Sequence, residues 1–174
     1  MADGLGLRNV TIHRGETLLL SVDTHINRGE ALTIMGPSGS GKSTLLSYIT
    51  GSLDPAFTAK GSVTLDGENI DTKPAHLRQI GILFQDDLLF PHMSVGANLS
   101  FGLDRSIPRA ERTDRINAAL DSVGLAGFFD RDPATLSGGQ RARVSLMRTL
   151  LSNPKALLLD EPFSRLDQDL RQQV

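Results

Sequence analysis

Nine consecutive residues, Gly36-Pro37-Ser38-Gly39-Ser40-Gly41-Lys42-Ser43-Thr44, have the types and spacing of a phosphate cradle. They fit G-x-x-x-x-G-K-[ST], in which glycines let the backbone curl until several amide N–H groups point into one concavity. Lys42 supplies a point charge for β- and γ-phosphates, and the Ser43 hydroxyl supplies an oxygen for Mg²⁺. A glycine-rich turn with a chance lysine is the bland alternative, and the flanks argue against it. Ala31-Leu32-Thr33-Ile34-Met35 is an apolar run of strand character ahead of the loop. Leu45, Leu46, Tyr48 and Ile49 read as the buried side of a helix behind it, with Gly51 placed to end it. A loop that opens a helix offers unpaired N–H groups and the positive end of a dipole to an anion. The expectation is a bound nucleoside triphosphate with Mg²⁺.

Two acidic residues, Asp160 and Glu161, end the apolar run Ala156-Leu157-Leu158-Leu159. Beside a phosphate loop, Asp160 is placed to hold Mg²⁺, directly or through water. Glu161 is the candidate to polarise an attacking water. An isolated Asp-Glu pair would more often be an exposed turn, and the phosphate loop shifts that balance. Gln85 ends another apolar run, Ile80-Gly81-Ile82-Leu83-Phe84, and could orient water or contact Mg²⁺. Taken alone, a glutamine at a strand end is usually only solvated.

Leu136-Ser137-Gly138-Gly139-Gln140 is a second Ser/Gly-rich stretch opening a second helix. It too offers N–H groups and a hydroxyl to an anion, but it has no lysine of its own. It reads either as a flexible loop or, more economically, as part of a site completed by another subunit's nucleotide.

The elements that must position these groups follow from periodicity. Leu5 to Val10 and Thr17 to Ile26 read as strands joined by a turn around His13 to Glu16, with Leu18, Leu20, Val22 and Ile26 on one half-buried face. Gly51 to Lys60 reads as irregular, Ser62 to Leu65 as a short strand, and Asp66-Gly67 as a hairpin turn. The Ile80 to Phe84 run suits a strand buried on both faces, as does Ala156 to Leu159. Ser94 is placed to cap a short helix through Leu99. A polar helix is expected from Pro108 to Val123, with Ile116, Ala119, Leu120 and Val123 as its apolar stripe and Gly124 at its C-terminal end. Its charges, Arg109, Glu111, Arg112, Asp114 and Arg115, fit a solvated face better than a docking surface. A further helix is expected from Arg141 to Leu151, with Val144, Met147, Leu150 and Leu151 on one side and Asn153-Pro154 breaking it. Alternating strands and helices predict an α/β fold: a P-loop NTPase core with a largely parallel sheet, an N-terminal antiparallel β portion, and a small helical insertion from about 91 to 140.

Bulk properties bound the reading. The 174 residues suffice for one domain with a real core. A net charge of −2 gives no whole-chain reason to expect a nucleic-acid partner. No apolar run approaches the roughly 18–20 residues that cross a bilayer, and Met1 to Val10 lacks a signal-peptide core. The absence of cysteine excludes disulfides and thiolate metal sites, and fits a reducing compartment. The default location is the cytoplasm.

In their order along the chain, Gly36 to Thr44, Gln85, Leu136 to Gln140, Leu157 to Glu161 and Ser164-Arg165-Leu166-Asp167 resemble the nucleotide-binding subunit of ATP-binding cassette (ABC) transporters. The Leu-Ser-Gly-Gly-Gln pentapeptide is that family's signature. The resemblance implies ATP hydrolysis with Mg²⁺ and a head-to-tail homodimer formed on ATP binding. In it Ser137 and Gly139 of one subunit contact the γ-phosphate held by the other's Lys42. Asp167 would sit in the loop that communicates between the two sites. The stretch Leu89-Phe90-Pro91-His92-Met93-Ser94-Val95 looks most like importer-type subunits. In the family, that segment and the helical insertion grip an integral-membrane permease, which places the subunit on the inner face of the cell membrane.

Two departures from the family pattern stand out. The aromatic residue that the family uses to stack on adenine is replaced by His13 or Arg14. The histidine that the family carries on a strand beyond the catalytic glutamate has no counterpart, since the histidines are His13, His25, His76 and His92. The expectation is a C-terminally truncated subunit that binds nucleotide but hydrolyses it poorly. The competing classes are a soluble ABC ATPase acting on DNA or ribosomes, and a subunit that binds nucleotide without efficient turnover. Positions 86 to 135 hold no long coiled coil of the DNA-repair type, and the chain carries one cassette rather than the two usual in ribosomal types.

Overall fold

The computed structural model describes residues 3–161. Ser164 to Asp167 and the helix expected over Asp167 to Val174 lie outside the described residues. The chain divides into two compact units, Met1–Ile80 and Gly81–Val174.

The first unit is an antiparallel sheet carrying one helix. Strands β1 (Gly4–Arg14), β2 (Thr17–Asn27), β3 (Phe57–Leu65) and β4 (Glu68–Asn69) are ordered β2-β1-β3-β4, and helix α1 (Lys42–Thr50) lies between β2 and β3 in sequence. Leu7, Val10, Ile12 and Val63 are buried in the sheet, and Leu45 and Ile49 are buried on α1. Asp66 and Gly67 both have positive φ, 51° and 80°, as the tight hairpin between β3 and β4 requires. β1 carries an extra residue at Arg8–Asn9 relative to both neighbours, with Asn9 at φ 48°. Gly61 of β3 faces this bulge, and a Cβ there would meet the Asn9 carbonyl at 2.5 Å.

Three expectations change here. β3 begins at Phe57 rather than Ser62, because Phe57 to Lys60 continue the ladder against β1, Arg14 opposite Phe57 and Thr11 opposite Lys60. Leu18 is exposed rather than on the half-buried face. One extra β2 residue between the pairs His13–Leu18 and Ile12–Leu20 reverses the alternation there. The third is the apolar run Ala31–Met35, which forms no strand. Backbone groups of a strand need a neighbour's ladder, and the four-stranded sheet of this unit includes no partner for it. Met35 is 85% exposed.

The second unit has two strands, β5 (Ile80–Leu83) and β6 (Ala156–Leu159), paired parallel, with helices α2 (Val95–Ser100), α3 (Arg109–Ser122) and α4 (Gly138–Leu151) between them in sequence. Parallel strands need a long crossover, and here it is helical. Val95 and Leu99 of α2, Ile116 and Leu120 of α3 and Val144 of α4 share one core with Leu103, Leu125 and Leu136, and Val123, Phe129 and Met147 pack against it. Ser94 caps α2 by accepting from Ala97 N at 3.2 Å. Pro108 precedes α3, and Gly124, at φ 69°, follows it, with Leu125 N donating back to Leu120 O at 2.8 Å. That backbone bond closes the helix end.

Three details differ from expectation in this unit. α4 starts at Gly138, three residues before Arg141, because Ser137 is its cap. Leu150 is exposed, since six residues past Val144 it lies about 120° round the helix. β6 is buried only at Leu158 and β5 only at Gly81 and Leu83, so each strand covers one face rather than two among the described residues.

Candidate functional site

The phosphate-loop residues lead directly into helix α1 in the first unit. Gly41 is the N-cap of α1 at φ 87°, and Gly39 has φ 82°. Both values lie in the left-handed region that glycine enters without strain. Gly41 is further constrained by space: a Cβ there would lie 2.9 Å from Leu20 Cδ2 and 3.5 Å from Leu19 Cβ. The loop is closed by Ser40 N donating to Pro37 O at 3.3 Å. Lys42 folds back over it, its Nζ donating to the carbonyls of Gly36 and Pro37 at 2.9 Å each. The ammonium is therefore held on the concave side, at the helix end where the dipole favours negative charge. No acidic residue lies in the first turn of α1 to oppose an anion. Ser43, the candidate Mg²⁺ ligand, and Thr44 lie in that turn.

His13 and Arg14, the candidates for stacking on adenine, end β1 opposite Thr58 and Phe57 of β3.

In the second unit the strand pairing places the ends of the two strands that carry three candidates side by side. Gln85 follows β5 by two residues, and Asp160 follows β6 directly. Asp160 N donates to Leu83 O at 2.9 Å, so the two strand ends are neighbours. Glu161 comes next with φ 48°, a left-handed backbone that turns the chain sharply after the strand. The oxygens of Gln85, Asp160 and Ser43 are hard donors, the kind Mg²⁺ takes. Among the described residues no group of three or more His, Cys, Asp or Glu converges. Mg²⁺ requires none, because one or two carboxylates, waters and phosphate oxygens complete its shell.

Ser137, Gly138, Gly139 and Gln140 form the start of α4 as a capping box. Ser137 Oγ accepts from Gln140 N at 3.2 Å, and Gln140 Oε1 accepts from Ser137 N at 2.9 Å. The flexible-loop alternative does not hold, since the pentapeptide is an ordered helix start. Gly138 and Gly139 are the first two helical residues, whose N–H groups have no partner within the helix.

Sequence reasoning passed over the residues that hold this pentapeptide in place. Arg141 Nη1 donates to Leu136 O at 2.7 Å, and its Nε pairs with Asp87 Oδ2 at 3.0 Å. Arg148 Nη1 donates to Leu88 O at 2.9 Å, and burial lowers its pKa from the ordinary arginine value. Asn98, fully buried on α2, accepts from Phe90 N at 2.8 Å and donates to the carbonyls of Phe90, Met93 and Ser94. Loop 86–94 is thus held from α2 and α4. No local pattern signals these links.

Comparison with known proteins agrees with the motif order. The sequence profile of the family described as "ABC transporter" matches residues 19–164. The chain is 52% identical over 168 residues to the uncharacterized ABC transporter ATP-binding protein YnjD of Escherichia coli, covering 96% of this chain and 77% of that protein. It is 42% identical over 174 residues to the Fe(3+) ions import ATP-binding protein FbpC 1 of Haemophilus influenzae, covering 99% of this chain but 52% of that protein. A solved dimeric, post-hydrolysis structure of the ATP-binding cassette MJ0796, bound to ADP and Pi, matches with a TM-score of 0.81 and 32% identity, over 97% of this chain and 78% of that one. The fold is that of an ABC ATPase, a P-loop α/β core with an antiparallel N-terminal sheet. With the phosphate loop, the paired strand ends and the capped pentapeptide in place, the chain belongs to the ABC transporter family.

Proposed function

We propose that this chain is the ATP-binding and ATP-hydrolysing subunit of an ABC transporter, of the importer kind, which energises a separate integral-membrane permease. The observation that carries the reading is the phosphate loop: an amide-rich turn capping α1 with the Lys42 ammonium held over it at 2.9 Å from two loop carbonyls. Gly36 to Thr44 cradle the triphosphate, and Lys42 faces its β- and γ-phosphates. Ser43, Gln85 and Asp160 would hold Mg²⁺, whose charge, when it is bound, offsets that developing on the phosphoryl oxygens. Glu161 takes a proton from the attacking water as its oxygen bonds the γ-phosphorus, and ADP departs.

Ser137, Gly138, Gly139 and Gln140 complete the nucleotide site of a second copy in a head-to-tail homodimer. The dimeric assembly of the MJ0796 cassette supports that arrangement. The role of the Haemophilus influenzae relative in Fe(3+) ions import supports the importer direction. Residues 91 to about 140 act as a helical subdomain within one ATPase domain. Their shared core of α2, α3 and α4 side chains supports it. Among the described residues no helix is long and apolar enough to cross a membrane. On this reading the subunit lies at the inner face of the membrane, held by its permease.

The test is copurification of the full subunit with a membrane protein, followed by an assay of Mg-ATP turnover in that complex. A folded subunit with no measurable affinity for Mg-ATP would overturn the reading.

A further inference from the structure

Arg141 reaches from the pentapeptide helix both to the pentapeptide's own backbone and to the loop after Gln85. Its Nη1 donates to the Leu136 carbonyl at 2.7 Å, which fixes the residue before Ser137. Its Nε donates to Asp87 Oδ2 at 3.0 Å, 54 residues away in sequence and two residues beyond Gln85. The Asp87 side chain is 12% exposed and that of Arg141 35%, so the carboxylate is shielded from solvent while the guanidinium is partly open to it. A charge-assisted hydrogen bond to a shielded carboxylate holds its geometry better than one between two exposed groups. About two turns further along α4, Arg148 adds donors to the carbonyls of Leu88 and Asp87. The opposite side of the loop is pinned by Asn98, whose Oδ1 accepts from Phe90 N and whose two amide hydrogens are shared among the carbonyls of Phe90, Met93 and Ser94.

We propose that Arg141 is a positioning residue that makes the loop after Gln85 and the start of α4 one mechanical piece, so that a displacement of Asp87 moves Ser137 with it. In this role Arg141 and Asp87 act through Ser137 and Gln85. The consequence is that engagement of loop 86–94 and presentation of the pentapeptide to a second copy's nucleotide are the same event. The inference rests on the ATPase reading for its functional consequence, but the mechanical link exists independently of it.

The test therefore has two arms. In the first, amide hydrogen exchange is measured on the nucleotide-free full chain and on Asp87→Asn, which keeps size and removes charge. Faster exchange, by about two- to fivefold, is expected at the amides of Ser137 to Arg141 as well as at 86–90, the scale of losing the charge from a partly exposed ion pair. Faster exchange confined to 86–90 would overturn the link. In the second arm, Asp87→Ala, Arg141→Ala and the double variant are compared for ATP-driven dimer formation by sedimentation, in a Glu161→Gln background. Each single variant is expected to weaken the dimer about tenfold and the double variant no further than either. Additive losses, or a folded Arg141→Ala protein that dimerises like its parent, would overturn the proposal. Failure of the ATPase reading looks different: the parent itself would bind no Mg-ATP, while the exchange arm would still decide the link.

Discussion

Arg78 Nη1 donates to the carbonyl of Ile49 at 2.9 Å and to that of Tyr48 at 3.1 Å, so a guanidinium closes the C-terminal end of the helix that the phosphate loop opens. Its Nη2 and Nε donate to the carbonyls of Asp71 and Lys73, and the residue is only 6% exposed. A cation suits that end of the dipole. Arg78→Met would leave buried carbonyls without donors and is expected to destabilise the first unit by about 2–4 kcal/mol. Chemical denaturation followed by the single tyrosine, Tyr48 of α1, checks it. A midpoint unchanged from the parent would show that the carbonyls find other partners.

Lys42→Ala removes the ammonium held over Gly36 and Pro37 and leaves the helix start intact. Alanine favours the helix, so folding should be preserved. Titration calorimetry should show Mg-ATP affinity reduced by about tenfold or more, the scale of losing one charge-assisted contact. Unchanged affinity in the folded variant would remove the phosphate loop from the site.

Glu161→Gln keeps shape and removes both the candidate base and its repulsion from the γ-phosphate. Light scattering of the full subunit at saturating Mg-ATP should show a dimer that persists because hydrolysis is slowed. Adding Ser137→Arg should abolish it, since a long side chain at the α4 cap occupies the space a second copy's phosphates need. A dimer that forms equally well with Ser137→Arg would exclude the pentapeptide from the interface.

Glu30 gives a pH-dependent test in the first unit. Its Oε2 accepts from both Asn27 N and Asn27 Nδ2 at 2.9 Å, and these bonds, the backbone one foremost, lower its pKa below the usual glutamate value. A carboxylate depressed in the folded state contributes stability that is present above its unfolded pKa, about 4.3, and lost as pH falls through the folded value. Glu30→Gln should therefore lie closer to the parent in urea midpoint at pH ~3 than at pH ~7. The difference is small, because the group is exposed. An equal difference at both pH values would show that the carboxylate bonds play no part.

The parts legible in the sequence were those whose signal is local. The helix behind the phosphate loop, the Ile116–Leu120 stripe and the Asp66-Gly67 hairpin are set by neighbours within a few residues, and each is where periodicity and turn chemistry put it. Strand extent was less legible. Phe57 to Lys60 looked irregular between Pro55 and Gly61, and only the β1 ladder makes them a strand. Ala31 to Met35 had the composition of a strand and lacks a ladder. The links through Arg78, Asn98 and Arg141 were invisible for another reason. Arg78 reaches back 29 residues to Ile49, and Arg141 reaches back 54 to Asp87. No pattern within a turn of either arginine marks its partner, because the fold, not the local sequence, sets the distance.

The capping box at Ser137 has one further effect. A serine hydroxyl ordinarily spins among three staggered positions, and any partner must first stop that rotor. Here Oγ already accepts from Gln140 N at 3.2 Å, so one lone pair is committed and the O–H keeps only the staggered positions that point away from that amide. Part of the rotor's freedom is thus spent on folding, before anything arrives. An incoming oxyanion would have less rotation left to stop, beside the two glycine amides that open the helix.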